Sequence, residues 1–450
     1  MIICKFGGTS VGDADAIRRA ADIVKTRQTR QPIAVVSALG GTTNALIDLA
    51  EQAARGQLIA ALRGVEGVRD RHLDVAASLL TGSAADEVSL ELSAMCDELA
   101  SLAEALSVLG HLTPRSLDAV SSFGERMSSI MIAAAFQTGG LPAQHVDGRR
   151  VMVTDDHYTS AEPNQDAIAE AARQHLAPLV REGRVPVLGG YVGSTQQGIT
   201  TTLGRGGSDY SASLIGAALH AEEIEIWTDV DGMLTADPRV VAAARTIDQV
   251  GFEEASELAS FGAKVLHPYT IAPAVRVGIP VRVLNSRKPQ GLGTLITFDA
   301  PRRAVTAIAG KSAVTLVKVR SPKMLLTEGF LRELFAIFER HRTSVDVVAT
   351  SEVSVSLTVD DPSRLEESIG DLRALGDVAV ERNRGIVAVV GAALGENSAA
   401  MSRALEAIGA ARLHMLSLSA TGINLTMVVD GDEVNPLMQR LHAAFFEGRA

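Results

Sequence analysis

The sequence predicts an α/β protein: a mostly parallel central sheet with helices on both faces, followed by two small α+β units. Three observations carry this. Short apolar runs alternate with amphipathic helical stretches through roughly the first 300 residues, the alternation that covers both faces of a parallel sheet. The last 140 or so residues carry one pattern twice, offset by about 70 residues: strand, loop, helix, strand, turn, strand. Glycine-rich stretches stand at strand ends, where open α/β sheets take their ligands.

The elements follow in order. Ile2 to Phe6 is a short apolar strand, and Asp13 caps a helix whose Ile17, Ala20, Ala21 and Val24 keep the i, i+3, i+4, i+7 spacing. Ile33 to Ser37 is the next strand and Thr43 to Ala54 the next helix. Residues 56–110 read as helical and rather polar, an insertion or lid. A helix over Glu125 to Gln137, strands at Ala143 to Val146 and Pro186 to Gly189, a helix capped by Ser208 and ending at His220, and a strand from Glu223 to Thr228 complete the pattern. The stretch NSRKPQGLGT, Asn285 to Thr294, is a turn region near a boundary. In the duplicated tail, SVSLTVDD and INLTMVVDGD close the two copies alike, and pairing between copies buries surface that neither covers alone.

Composition narrows the function. A chain of 450 residues predicts two to four domains at about 150 each. Apolar residues make up 46% and charged residues 21%, as in soluble globular proteins, and with only 4% aromatics the core is aliphatic. A net charge of -11 argues against nucleic acid as partner. Cys4 and Cys96 form neither a metal spacing nor a disulfide framework, which fits a reducing cytoplasm. No signal peptide is visible, and the longest apolar runs fall far short of the ~20 residues that span a bilayer.

Five stretches carry chemistry. KFGGTS, Lys5 to Ser10, reads either as a tight strand–helix turn with a surface lysine or as a polyphosphate site. In the second reading Gly7 and Gly8 let backbone N–H groups approach, Thr9 and Ser10 add hydroxyls and Lys5 adds charge. TTLGRGGSDYS sets Arg205 among glycines before a helix with Asp209 in its first turn. Neither G-x-x-x-x-G-K-[ST] nor G-x-G-x-x-G occurs. EIEIWTDVDGMLTADPR runs a strand into Thr228-Asp229 and on to Arg239, either a hairpin with exposed acids or a nucleotide pocket. FGAKVLHP supplies Lys264, with His267 a structural histidine, and SSFGERMSS opens a helix with Glu125, which alone reads as a capping acid.

Together KFGGTS, GRGGSD, TDVDG with TADPR, FGAKVLHP and the paired repeats resemble the aspartokinases, of the monofunctional kind, in order over almost the whole chain. The resemblance implies a three-layer α/β/α amino-acid-kinase domain at 1–298. Two ACT (ferredoxin-like) domains follow at 314–382 and 383–450, the second including a strand from 304–312. It implies transfer of phosphate from ATP to the side-chain carboxylate of L-aspartate. That carboxylate, with a pKa of about 4, is already ionised, so no general base is needed and the work falls to positioning and cations. Lys5 and Lys264 would neutralise the transferred phosphoryl group, with Mg²⁺ carried by ATP and no metal ligand from the protein. Gly7, Gly8 and Thr9 would contact phosphates, and Asp209 would orient Lys5. Arg205 would clamp the α-carboxylate of aspartate and Glu125 its ammonium, with Ser37 and Thr43 near the substrate. Thr228, Asp229, Leu234 and Arg239 would hold the nucleotide.

The resemblance further implies feedback control toward lysine, threonine and methionine synthesis, a homodimer or higher homo-oligomer, and a cytoplasmic setting without membrane or nucleic-acid partners. Lysine is the expected effector, at Met324, Thr327, Gly329, Phe330, Leu331, Asp346, Ser351 and Glu352. Gly329-Phe330 reads equally as a helix start packed on its sheet. Two departures stand out. Leu234 replaces an aromatic beside the nucleotide, and Leu326 replaces a histidine of the effector loop in some lysine-sensitive relatives, which leaves threonine or no effector open. With nothing after the second repeat, no fused homoserine dehydrogenase is expected. The rival readings are another acyl-phosphate kinase, for glutamate, acetylglutamate or carbamate, and a non-catalytic amino-acid sensor. The duplicated tail and TADPR count against the first, and the set of charged residues against the second.

Overall fold

The computed structural model describes residues 1–261, 268–326 and 328–447. Its elements begin with β1 (Ile2–Phe6), α1 (Ala14–Thr26), β2 (Pro32–Val36), α2 (Thr42–Ala54), α3 (Leu58–Leu79), α4 (Ser83–Leu109), α5 (Pro114–Ser121) and α6 (Phe123–Thr138). There follow β3 (Ala143–His145), β4 (Val153–Thr154), α7 (Gln165–His175), α8 (Ala177–Arg181), β5 (Val185–Gly189), β6 (Val192–Thr195), β7 (Thr200–Thr202), α9 (Gly207–Leu219) and β8 (Glu223–Thr228). Then come β9 (Gln249–Val250), α10 (Phe252–Ser260), α11 (Pro268–Arg276), β10 (Val281–Asn285) and β11 (Thr294–Ile296). The chain divides into two compact units. Among the described residues the first holds 1–233 and 268–298, the second 234–261 and 299–447.

In the first unit the strands run in the order β3-β5-β2-β1-β8-β10-β11, parallel from β3 to β10, with β11 antiparallel. β1, β2 and β5 are buried throughout, as a sheet covered on both faces requires. α1 begins where the sequence places it: Asp13 accepts from the Ala16 N–H at 2.7 Å, and Ile17, Ala20, Ala21 and Val24 turn inward. Residues 56–110 are no lid. α3 and α4 form a long helical hairpin whose Val65, Val68, Leu92, Cys96 and Leu99 join the same core as Phe6 and Leu46. Their polar residues occupy the outer faces, which is why the stretch reads as polar overall.

The second unit contains β12 (Ala307–Arg320), α12 (Phe330–Arg340), β13 (Val348–Thr350), β14 (Ser354–Val359), α13 (Leu365–Leu372), β15 (Asp377–Val390), α14 (Ser398–Ile408), β16 (Met415–Leu418), β17 (Asn424–Asp430) and α15 (Val434–His442). Its strands make one antiparallel sheet in the order β13-β14-β12-β15-β17-β16. β12 and β15 are shared. Ala307–Lys311 lies beside Ile386–Val390, and the rest of β12 lies beside the start of β15. Ala313 (φ 64°) and Asn383 (φ 55°) mark the bends between the halves. Separate cores form around Phe330, Leu334 and Leu357 and around Val387, Ala404 and Leu437.

Residues 234–261 are fastened to this sheet. The Ile308 N–H donates to the Thr235 carbonyl at 2.8 Å, and Asn424 donates to Glu257 at 2.6 Å. Glu254, 1% exposed, accepts from the Thr306 hydroxyl at 2.5 Å, the Ala392 N–H at 3.0 Å and the Gly251 N–H at 3.1 Å. Glu254→Ala leaves the buried Thr306 hydroxyl and two half-buried N–H groups unpaired, so it should cost about 1–3 kcal/mol and lower the melting temperature by roughly 5 °C. An unshifted calorimetric melt would show that this junction contributes nothing.

Candidate active site

The site forms where adjacent parallel strands end. β1 ends at Phe6, and β2 beside it runs into the loop Ser37–Gly41 that starts α2. The two turns are stitched together: the Ser37 N–H donates to the Phe6 carbonyl and the Gly40 N–H to the Gly8 carbonyl, each at 3.1 Å. A Cβ on Gly8 would lie 3.2 Å from the Ala38 carbonyl oxygen, so glycine is what lets the loops close on each other. From the third side comes the loop between β7 and α9. Gly206, with φ 74°, is the N-cap of α9, and Ser208 falls inside the first turn rather than at the cap.

Lys5 is the one charged residue of β1. Its Nζ lies 2.6 Å from Asp209 Oδ1 in the first turn of α9, with both side chains largely buried. The helix N-terminus favours the carboxylate, and the carboxylate fixes the ammonium. Glu125, in the first turn of α6, is 4% exposed. Burial pushes its carboxyl up to about 8, against the opposing pull of backbone donors at Ala38 and Glu125 and of the Lys5 charge. Its Oε2 is buried without a hydrogen-bond partner. Ser128 of the same helix donates to the Ser37 carbonyl at 2.9 Å, which locks α6 to the loop after β2.

These groups share a cleft of about 330 Å³. The sequence-predicted Lys5, Gly8, Ser37, Thr43, Glu125, Arg205 and Asp209 all line it. Other expected residues stand elsewhere. The Gly7 N–H already donates to the Trp227 carbonyl at 3.0 Å. Thr9, beside Gly8, is exposed. The Ser10 hydroxyl is buried, 3.2 Å from the Trp227 carbonyl and 2.7 Å from the Ser286 hydroxyl, so it ties strand ends together instead of reaching a ligand. Thr228 and Asp229 end β8 outside the cleft lining. Leu234 and Arg239 belong to the second unit, where Arg239 is exposed and paired with Asp237 at 2.6 Å. Lys264 and His267 lie outside the described residues.

Two cleft residues with polar side chains escaped sequence reasoning as ligand contacts, Tyr191 and Ser208. Tyr191 follows β5 with φ 66°. Its N–H donates to the Ser211 hydroxyl at 3.0 Å, and its own hydroxyl lies 3.4 Å from that of Ser121. The available signal was a lone aromatic after two glycines at a strand end.

In the second unit, Gly329 (φ 87°) is the N-cap of α12 and Phe330 is buried in the repeat core with Met324 packed against it. Leu331, Ser351 and Glu352 are exposed, and the Ser351 hydroxyl lies 2.7 Å from that of Ser354. Asp346 lies 3.8 Å from Lys311 Nζ, which also pairs with Asp360 at 2.5 Å. Burial and the neighbouring Asp360 carboxylate push the Asp346 carboxyl up, against the Lys311 charge. Thr327 lies outside the described residues.

A buried lysine at a glycine turn suits phosphate, an orphaned carboxylate oxygen suits an ammonium, and an arginine at a loop tip suits a carboxylate. A cleft of that kind, on a parallel sheet, defines a small-molecule kinase acting on an amino acid. The family model of the Amino acid kinase family matches residues 1–285. The lysine-sensitive aspartokinase 3 of Escherichia coli (strain K12) is 38% identical over 99% of both chains. Crystal structures of E. coli aspartokinase III superpose in two states. The complex with aspartate and ADP (R-state) gives a TM-score of 0.85 at 38% identity, covering 99% of this chain and 100% of that one. The complex with lysine and aspartate (T-state) gives 0.84 at 38% identity, covering 99% of each. The chain belongs to the aspartokinases, enzymes that phosphorylate aspartate. Among the described residues no helix is long and apolar enough to cross a membrane.

Proposed function

We propose that the cleft binds L-aspartate with its α-carboxylate on Arg205 and its ammonium on Glu125, while Lys5 faces the phosphates of ATP. The observation that carries this is the convergence of a buried carboxyl with one unpartnered oxygen, an exposed guanidinium and a paired lysine in one cleft. The side-chain carboxylate of aspartate attacks the γ-phosphorus, the bond to the β–γ bridging oxygen breaks, and ADP leaves. Lys5 offsets the charge of the moving phosphoryl group, and Asp209 holds Lys5 in place. Gly8, Ser37 and Thr43 line the cleft, and Thr9, exposed beside Gly8, is the hydroxyl proposed to meet the phosphates. Gly7 contributes the shape of the turn, its N–H being engaged. Thr228 and Asp229 are the strand-end residues proposed for the nucleotide; the nucleotide roles of Lys264, Leu234 and Arg239, within a proposed catalytic segment 1–298, rest on the resemblance alone.

Magnesium fits as an ion carried by the nucleotide. Among the described residues no cluster of three or more His, Cys, Asp or Glu could hold a metal. Among the described residues Asp209 and Glu125 are the only acids of the cleft lining. Bound, the ion neutralises phosphate charge.

Regulation belongs to the same proposal. The first N–H groups of α12, after Gly329, suit the carboxylate of an amino-acid effector, and Asp346 or Glu352 suits a cationic side chain. Lysine is the effector proposed, consistent with the E. coli relative that binds it. A cytoplasmic homodimer is the assembly proposed.

Acyl-phosphate trapping tests both parts. Protein, ATP, Mg²⁺ and hydroxylamine are mixed with aspartate or with glutamate, with and without lysine. Hydroxamate from aspartate alone supports the reading, and none from aspartate sinks it. Glu352→Ala should raise the lysine concentration needed for half-inhibition at least about tenfold, as loss of one charged contact does, with uninhibited turnover unchanged. Unaltered inhibition would move the effector elsewhere.

A further inference from the structure

Asp118 is a buried carboxylate that the chemistry above does not use. It lies on α5, is fully buried, and no cation pairs with it among the described residues. Instead it collects donors from two separate segments. The Thr202 hydroxyl donates to Oδ1 at 2.7 Å and the Thr202 N–H to Oδ2 at 3.0 Å. The Thr159 N–H reaches both oxygens, at 3.0 and 2.9 Å. Burial raises the Asp118 carboxyl, and these same donors oppose the rise.

Placement gives this knot its meaning. Thr202 ends β7, three residues before Arg205. Asp118 itself stands seven residues before Glu125, with one residue, Ser122, between α5 and α6. Thr159, held at φ 71°, carries the carbonyl against which Gly204 packs, where a Cβ would lie 3.0 Å away. The Ser121 hydroxyl of the same helix reaches the Tyr191 hydroxyl at 3.4 Å. One carboxylate therefore fastens the segment bearing Glu125, the loop bearing Arg205, and the turn that props that loop.

We infer that Asp118 is a positioning residue that sets the separation of Glu125 and Arg205, and so the fit of the amino-acid end of the substrate. This rests on the reading that Glu125 and Arg205 bind aspartate. The phosphate-side group, Lys5, is carried by β1 and held by α9, outside the Asp118 hydrogen bonds. A substitution here should therefore separate the two substrates kinetically.

The test is steady-state kinetics on Asp118→Asn, Thr202→Val and Thr202→Ser, with thermal melts alongside. Asp118→Asn keeps the shape but cannot accept from every donor. Its KM for aspartate should rise about tenfold or more, the scale of a misplaced binding group, with KM for ATP within about twofold of wild type. Thr202→Val, which removes one donor, should give a smaller rise of the same kind, and Thr202→Ser should restore the wild-type value. Lowered melting temperatures with an unmoved aspartate KM would overturn the proposal, leaving Asp118 a purely structural group. If Asp118→Asn fails to fold, the Val and Ser pair at 202 decides in the same way. Arg205→Ala is the control for the underlying reading. If it too leaves the aspartate KM unchanged, the substrate site is misassigned. If it raises that KM while the Asp118 and Thr202 variants do not, only the positioning role fails.

Discussion

Lys5→Ala is expected to lower kcat at least about 10³-fold, the loss seen when a positioned charge on a transferring phosphoryl group is removed. The far-UV spectrum should be unchanged. The argument is electrostatic. Nucleophile and electrophile are both anionic, and Lys5 is the cation on the strand floor of the described cleft. Its ammonium is held at 2.6 Å from Asp209 in a largely dehydrated position, where a charge acts more strongly than in water. Removing it also strands Asp209, with its side chain 15% exposed, so a stability loss of about 2 kcal/mol should accompany the kinetic loss. Lys5→Met combined with Asp209→Asn separates the two effects. The double variant should regain the melting temperature and remain inactive. A Lys5→Ala enzyme with near-normal kcat would remove Lys5 from the chemistry altogether.

Much of this cleft was legible because its residues cluster in short segments with unusual composition at strand ends. KFGGTS, the loop around Arg205 and the helix start at Glu125 each break the apolar pattern where packing does not require it, and the parallel topology brings those ends together. What stayed hidden has physical causes. Ser10 looks like a ligand donor in sequence, yet its partners, the Trp227 carbonyl and Ser286, are over 200 residues away. Asp118 reads as an ordinary helical acid, since nothing local reveals that Thr159 and Thr202 will surround it. α3 and α4 carry narrow apolar stripes diluted by polar outer faces, so their membership of the core shows only after folding. Residues 234–261 follow β8 without a break in composition, but Glu254 and Glu257 find their partners at Thr306, Ala392 and Asn424. Periodicity reports the face an element buries; it does not say which neighbour covers that face.

Glu125→Gln tests the second large effect, a protonation coupled to substrate binding. Burial holds the Glu125 carboxyl at about 8, against an ordinary glutamate near 4.5. Below the ordinary value both folded and unfolded chains carry the proton, and there is no penalty. As pH rises, the unfolded chain loses it while the folded chain keeps it, so folding stability falls by up to ~1.4 kcal/mol per pH unit until about pH 8. Glu125→Gln should lack this slope in pH-dependent melts. On the proposed binding mode aspartate changes the balance, because its ammonium would supply the missing partner and favour the carboxylate. Binding at pH 7 should therefore release nearly one proton per site, and release should vanish well above pH 8, where the carboxyl is already ionised. Affinity should rise by up to about tenfold per pH unit toward pH 8 and then level off. Calorimetric titration with aspartate in two buffers of different ionisation enthalpy reads the proton count directly. Wild type should show release that Glu125→Gln does not, and the variant should bind aspartate more weakly at pH 8 with little pH dependence below it. Equal heats in both buffers for wild type at pH 7 would mean that Glu125 does not change protonation on binding, and the ammonium would then need another partner in the cleft.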